Sequence, residues 1–531
     1  MFDENDPRNN DNDHFESPDN PNDLYSPDKP DDEMIYVSEE DMTDSSSKEP
    51  KTVGEAIKKG LLETVDTFVA FVKSPSEIIG LNIINVIEGM AYFGVLTYLV
   101  LYMHENVGLS DVHASWVVTA FMMLVTISQL LFGGVSDKLG ARRALGISLI
   151  VLTLGRFALG FAEPLFGAAG NGLNSQFFIV TACALGFVAL SYGLYQPSIY
   201  TVTRQYSDEK TSAVSYALLY AGMNLGAFIT GLVLPHIRKA SADSMPAILP
   251  DVSTISNGIS GSLIFLATLM VAALICYYFF ILRSKTKIQN PDKKEKNDSA
   301  QPNSSRPLTK AERLANYILT HPLFNLRFDY FIFILIPVQT LFAYQNILIP
   351  TYLKRCFTEY PTISDNYETF SNLNPIIVFI AAPIIAALTA KSNVYKMMII
   401  GTTVMAAPTF LLAIDQNPYT FLTFVLIMSI GESMWQPRFL QHVAEIAPKE
   451  RVGAYIGIAQ LPWFLTKFIV GWYVGFFMEN YIPETGTQYP EMMWLIFAAI
   501  AMVSPVGLFV ARKWCNIEKK DMDEKQESVN F

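Results

Sequence analysis

The chain of 531 residues is 51% hydrophobic, 13% aromatic and only 17% charged, against about a quarter charged residues in soluble chains, so a soluble multidomain enzyme, a disordered protein and a fibrous one are excluded at the outset. The formal charge of −12 belongs to one end, since residues 1–50 hold 17 Asp/Glu against three Lys/Arg, a net of −14, and the remainder is at +2. No basic stripe survives that division, and a nucleic-acid partner is not expected.

Residues 1–50, built of Asp, Asn, Pro, Ser and Glu, cannot bury enough apolar surface to offset their ordering entropy and read as an acidic, disordered tail. A signal peptide is not expected there, because a basic leader and an apolar run are both missing. Residues 51–78 place apolar and charged positions at helical spacing, with Glu63 and Asp66 interrupting the apolar stretch. That pattern predicts an amphipathic helix at the membrane surface rather than a span.

Twelve apolar runs follow, near 79–103, 114–135, 144–162, 176–203, 212–235, 259–282, 329–352, 371–390, 395–414, 418–442, 452–478 and 490–512. Each approaches the ~20 residues that a helix needs to cross about 30 Å of hydrocarbon. The expected architecture is an all-α membrane protein of twelve transmembrane helices in two six-helix bundles, at 79–282 and 328–513, joined by a polar linker at 283–327 and followed by a tail at 514–531.

Basic residues fall on alternate connections, at Lys138, Arg142, Arg143, Arg204, Lys210, the linker, Lys391, Lys396, Lys449, Arg451, Arg512 and Lys513. The opposite segments 104–113, 163–175, 415–417 and 479–489 carry no Lys or Arg, and Arg238, Lys239, Lys354 and Arg355 are the exceptions. The positive-inside rule then places both termini and the linker in the cytoplasm, in a plasma membrane or bacterial inner membrane.

Six spans, a cytoplasmic linker and six more is the layout of the major facilitator superfamily, whose halves enclose a midplane substrate site. A local motif agrees: Gly133-Gly134-Val135-Ser136-Asp137-Lys138-Leu139-Gly140-Ala141-Arg142-Arg143 resembles the superfamily's loop signature between spans two and three. It predicts a tight turn at Gly140, with Asp137 pairing to basic groups or capping the next helix. Such a loop would act as a conformational switch when the halves rock.

An ionisable side chain in hydrocarbon costs about 2.5 kcal/mol or more, so each one is a functional candidate. Glu88, Arg156, Glu432 and Lys467 sit inside spans one, three, ten and eleven. Gln129, Gln196, Asn224, Gln339, Gln345, Gln436 and Gln460 add neutral hydrogen-bonding groups, and Tyr92, Tyr220 and Trp435 adjoin the polar positions. Two readings stand side by side: the charges line a shared cavity, or Arg156 and Lys467 are counter-ions to Glu88 and Glu432 held for packing.

Three stretches resemble the proton-coupled oligopeptide transporter family. Glu88 to Gly94 is similar to the end of its first-helix motif Glu-x-x-Glu-Arg-Phe-x-Tyr-Tyr-Gly. Tyr216 to Ala227 looks like its Phe-x-x-x-Tyr-x-x-x-Asn-x-Gly signature, and Gly431 to Arg438 with Ala447-Pro448-Lys449 is similar to its tenth helix. The family's first motif glutamate falls on Asn85, its arginine on Gly89, and its fourth-helix lysine on Gln196 before Pro197.

The resemblance implies a divergent secondary transporter working by alternating access, with proton-coupled uptake of small peptides or related zwitterionic solutes. Glu88 and Glu432 are the implied proton-coupling carboxyls. Tyr92, Arg156, Gln196, Tyr220, Asn224, Gln345, Glu432, Trp435 and Lys467 are the candidate substrate-binding residues. Other readings remain open: a facilitator or exporter of another small organic solute such as an amino acid or organic anion, or a transporter-like nutrient receptor. No cofactor is expected beyond a proton gradient as driving force, the partners are a small solute and the lipid bilayer, and a functional monomer is implied.

Cys183, Cys276, Cys356 and Cys515 have no paired spacing and the six histidines are scattered, so neither a metal site nor a disulfide framework is expected. With no phosphate loop or nucleophile–base motif either, an enzyme is not expected.

Overall fold

Apolar runs of this length satisfy their backbone polar groups inside lipid only as helices or closed barrels, and the computed structural model is helical throughout its described residues, without a strand. It describes residues 54–55, 58, 62, 75–167, 170–207, 212–248, 258–284, 325–389, 392–446, 455 and 458–515. The expected acidic tail, nearly all of the expected surface helix, most of the linker, the Ala447-Pro448-Lys449 exit and the C-terminal tail lie outside them. By compactness the chain divides into Met1–Glu49 and Pro50–Phe531, and all that follows concerns the second unit.

The first bundle comprises α1 (Ser76–Leu101), α2 (Asp111–Leu139), α3 (Ala141–Phe166), α4 (Gln176–Tyr206), α5 (Ser212–Ile248) and α6 (Ile259–Cys276). The second comprises α7 (Leu326–Ile347), α8 (Asn374–Leu388), α9 (Val394–Leu412), α10 (Pro418–Ile446), α11 (Leu461–Tyr481) and α12 (Pro490–Val510). Eleven helices among the described residues are long and apolar enough to cross a membrane, and α10, 29 residues long with Glu432 and Arg438 inside it, makes the twelfth. The protein is an integral, multi-pass membrane protein.

Local chemistry sets the helix ends. Ser110, Ser175 and Asn393 accept hydrogen bonds from the backbone N–H groups of His113, Phe178 and Lys396, satisfying donors that a helix start leaves orphaned. Gly140 joins α2 to α3 at φ 83° with open space around it, so the expected turn depends on a left-handed backbone conformation that glycine adopts without strain. The side chains of Asp137 and Lys138 lie outside the described residues, and Arg142 bonds the Ile281 carbonyl. The fifth helix runs on to Ile248, well past the predicted end near 235, and carries Arg238 and Lys239 to their partners.

In the first bundle α1 packs on α5 and α6, α4 on α2 and α3, and α3 on α6. In the second, α10 packs on α8 and α9, and α12 on α7 and α9. The halves meet along α2–α11 and where α5 meets α8 and the short turn Tyr367–Ser371 before it. At the first seam, a Cβ on Gly471 would lie 1.4 Å from Thr119 Oγ1, and one on Gly475 2.6 Å from the Val112 backbone. Gly471→Val is therefore expected to wedge α2 from α11 and to destabilise the protein by about 1–3 kcal/mol, the size of effect that overpacking produces, read as a lower unfolding temperature.

The start of α1, the α2–α3 turn and the segment that follows α6 lie at one end of the helix array, where Ser284 donates to Glu77 and Arg142 to the Ile281 carbonyl, and that end is called here the terminal end. At the other, far end, charged residues bridge the two halves. Lys354 Nζ lies 2.5 Å from Glu105 Oε1, and Arg355 holds Asp111 through Nη1 and Nη2 at 2.6 and 3.0 Å. Arg238 Nε lies 2.5 Å from Glu368 Oε1, which also accepts from Tyr98 at 3.0 Å, and Lys239 donates to Asn366 at 3.0 Å. His104 Nε2 sits 3.2 Å from Glu484 Oε2 and that hydrogen bond holds the exposed Glu484 carboxyl below the usual carboxylate range. A depressed carboxyl contributes to closure above its unperturbed pKa and loses the contribution as pH falls through the lowered value.

Arg238, Lys239, Lys354 and Arg355 are the four cations that break the alternating basic pattern, and each of them joins one half to the other. The last turn of α1 is π-helical over Tyr102–Asn106, a rare geometry that re-aims side chains at functional positions. Here it supplies His104 and Glu105 to this seam.

Candidate functional site

Glu88 and Arg156 meet in the interior of the first bundle. Arg156 Nη2 donates to Glu88 Oε1 at 2.6 Å and to Tyr192 OH at 2.8 Å, while the Tyr192 hydroxyl donates to the same carboxylate oxygen. All three residues are essentially fully buried, and Glu88 Oε2 and Arg156 Nε and Nη1 have no hydrogen-bond partner among the described residues. Removing either partner of a buried ion pair is costly, because it leaves an uncompensated charge. Tyr92 packs edge-on against Tyr192 with ring centroids 5.2 Å apart.

The backbone explains why Arg156 rather than a neighbour on α1 meets Glu88. A Cβ on Gly89 would lie 2.8 Å from the Met223 carbonyl, and one on Gly226 2.4 Å from the Val86 carbonyl. With α1 and α5 in such close contact, position 89 has no room for a long side chain, and the cation arrives from α3. Asn85 spans the same crevice, donating to the Leu219 carbonyl at 2.7 Å and accepting from Tyr195 OH at 3.1 Å.

In the second bundle Glu432 is also buried but has a different environment. Its Oε2 accepts from Asn374 Nδ2 at 2.7 Å, and Asn374 also donates to Ser429 Oγ at 3.0 Å. Among the described residues no cation pairs with Glu432, and Lys467 makes no ion pair. Arg156 thus forms an ion pair with Glu88, whereas among the described residues Lys467 forms none with Glu432. The phenol of Tyr220, from the other half and more than half exposed, lies within electrostatic reach of Glu432.

The remaining candidates are placed as follows. Asn224 donates back to Tyr220 O one turn earlier on α5 at 3.0 Å. Gln196 and Gln345 are half-buried, and neither has a partner among the described residues. Trp435 is fully buried, its indole N–H donating to Met405 Sδ at 3.1 Å. Gln339 accepts from Thr466 at 3.2 Å, and its buried amide nitrogen has no partner among the described residues.

Sequence reasoning missed Tyr192 and Asn374. Tyr192 stands one helical turn before Gln196 on α4, a same-face spacing that was available as a signal. Asn374 stands at the first turn of α8, in an Asn-Pro pair that reads as a helix start. It also missed Glu163, one residue beyond the predicted third span, which is buried and accepts from Asn106 Nδ2 at 2.8 and 2.9 Å and from Ser260 Oγ.

Comparison with known proteins gives the frame for this geometry. The sequence profile of the Major Facilitator Superfamily matches residues 81–357 and 366–528. Among curated proteins, the chain is 27% identical over 151 residues to low affinity inorganic phosphate transporter 3 of Petunia hybrida, covering 28% of this chain and 27% of that one. It is 28% identical over 129 residues to the riboflavin transporter RibZ of Clostridioides difficile (strain 630), covering 23% and 25%. The chain thus spans about a quarter of the length of these curated relatives.

Solved structures align over far more. The peptide transporter POT in complex with sulfate superposes with a TM-score of 0.61 at 16% identity, covering 83% of this chain and 95% of that one. The nucleoside transporter NupG, in a variant form, superposes with a TM-score of 0.58 at 14% identity, covering 82% and 99%. At such identities the likeness is one of fold.

Proposed function

The chain belongs to the major facilitator superfamily, and on that premise we propose that it is a secondary active transporter that takes up small peptides or related zwitterionic solutes together with protons, by alternating access. The observation that carries this reading is the buried Glu88–Arg156–Tyr192 cluster in one half, set against the buried Glu432 in the other, which is met by Asn374 and by no cation among the described residues. Protonation of Glu88 would release Arg156 to hold a solute carboxylate. Glu432 would receive the solute's amino group, with Tyr220 beside it and Tyr92 against Tyr192. Binding a solute carboxylate and binding a proton would then favour each other, because each removes an uncompensated buried charge that the other creates.

Support from outside the site comes from the fold shared with the peptide transporter POT. The positive-inside pattern supports cytoplasmic termini, which would place the ion-paired far end on the outer side. The absence of the family's lysine at Gln196 favours a second reading, a facilitator for another small organic solute. Uptake of a labelled dipeptide into proteoliposomes, with and without an inward proton gradient, decides between them. Accumulation that requires the gradient is expected. Transport of amino acids or organic anions with no dipeptide uptake by folded protein would make the facilitator reading the correct one.

A further inference from the structure

A groove of about 690 Å³ runs between the start of α9 and the end of α12 at the terminal end. Its mouth carries Lys396, Arg512 and Lys513, and its wall is formed by Ile399, Ile400 and Phe509. The three cations are exposed, and none of the groove's lining residues is acidic. The groove is well built: Tyr395 OH donates to the Leu508 carbonyl at 2.9 Å and ties the two helices together. The Arg512 guanidinium rests 3.9 Å from the Phe509 ring centroid, a contact that fixes its position over the groove.

Depth in the membrane follows from the neighbouring aromatics. Trp514 is 44% exposed and packs edge-on against Tyr330 at 5.6 Å, and Trp and Tyr side chains of this kind sit at the headgroup level. Ile400 and Phe509, both substantially exposed, lie on the hydrocarbon side of the three cations. Two helices thus present apolar surface at acyl-chain depth and converging positive charge at headgroup depth.

We propose that this groove is a binding site for an anionic phospholipid, with the headgroup phosphate and its negative charge held by Lys396, Arg512 and Lys513 and an acyl chain along Ile399, Ile400 and Phe509. The membrane supplies the occupant, and the charge of the site selects which lipid it is. Arg512 contributes a planar donor fork suited to phosphate, while the two lysines act as point charges.

The test is native mass spectrometry of the purified full-length protein equilibrated with equal amounts of phosphatidylglycerol and phosphatidylcholine. One retained phosphatidylglycerol is expected, preferred roughly fivefold for each cation and about a hundredfold for all three. The single variants Lys396→Gln, Arg512→Gln and Lys513→Gln should each lower the preference about fivefold, and Arg512→Lys should keep most of it. Equal retention of the two lipids by the wild-type protein, or an unchanged preference in the folded single variants, would overturn the proposal.

Discussion

Glu88→Gln is expected to abolish gradient-driven accumulation while solute exchange across the membrane continues. The amide keeps the shape of the carboxyl and can still accept from Arg156 and Tyr192, which hold Glu88 in the native structure. It cannot gain and lose a proton, so the link between protonation and the release of Arg156 is cut. In proteoliposomes, labelled solute should enter only until its concentrations are equal, a drop from many-fold accumulation to none. Counterflow against unlabelled solute should stay within about tenfold of the wild type, because binding geometry remains. Uphill accumulation by Glu88→Gln would remove Glu88 from the coupling site.

The second large effect is expected at the far-end seam. Glu368 is fully buried, and Arg238 is its cation. Removing Arg238 alone leaves an uncompensated carboxylate, which destabilises a buried pair by about 3–5 kcal/mol, equivalent to a shift of about a hundredfold or more in a two-state equilibrium. Arg238→Ala should therefore move the population toward an open far end. The double variant Arg238→Ala/Glu368→Gln should move it back in large part, because no charge then remains buried. Electron-resonance distances between spin labels at Asn174→Cys and Thr487→Cys, in the two halves, report the opening. Identical distance distributions in the wild type and Arg238→Ala would show that this pair does not hold the seam.

Much of the fold is legible in the residues because hydrocarbon leaves few choices. A run such as 259–282 has to be a helix of membrane length, and Gly140 signals its turn through a conformation that other residues adopt only with strain. The ion pair between Glu88 and Arg156 is foreshadowed too, since two opposite charges inside one six-helix bundle need each other. The partner of Glu432 is not foreshadowed. Lys467 is the candidate counter-ion that the sequence offers, but the carboxylate is met by Asn374 at a helix start, and pairing across helices depends on rotations that no spacing encodes. The same holds for the far end. Arg238, Lys239, Lys354 and Arg355 look like irregularities in a charge pattern until the two halves are docked, when each proves to have its acceptor on the opposite half.

The close approach of α1 to α5 shows how packing can relocate a charge. Position 89 lies against the Met223 backbone, so a cation for Glu88 must come from another helix, and Arg156 on α3 provides it. A sequence comparison restricted to the first helix would register only a loss at that point. Read with its neighbours, the site keeps a carboxylate, a cation and a tyrosine in contact.

The most direct test of the central claim is the movement of protons with the solute. Proteoliposomes carrying a pH-sensitive dye, with no gradient imposed, should acidify inside when dipeptide is added outside, and Glu88→Gln proteoliposomes should not. Dipeptide entry with an unchanged internal pH in the wild-type protein would contradict proton coupling and leave a facilitator.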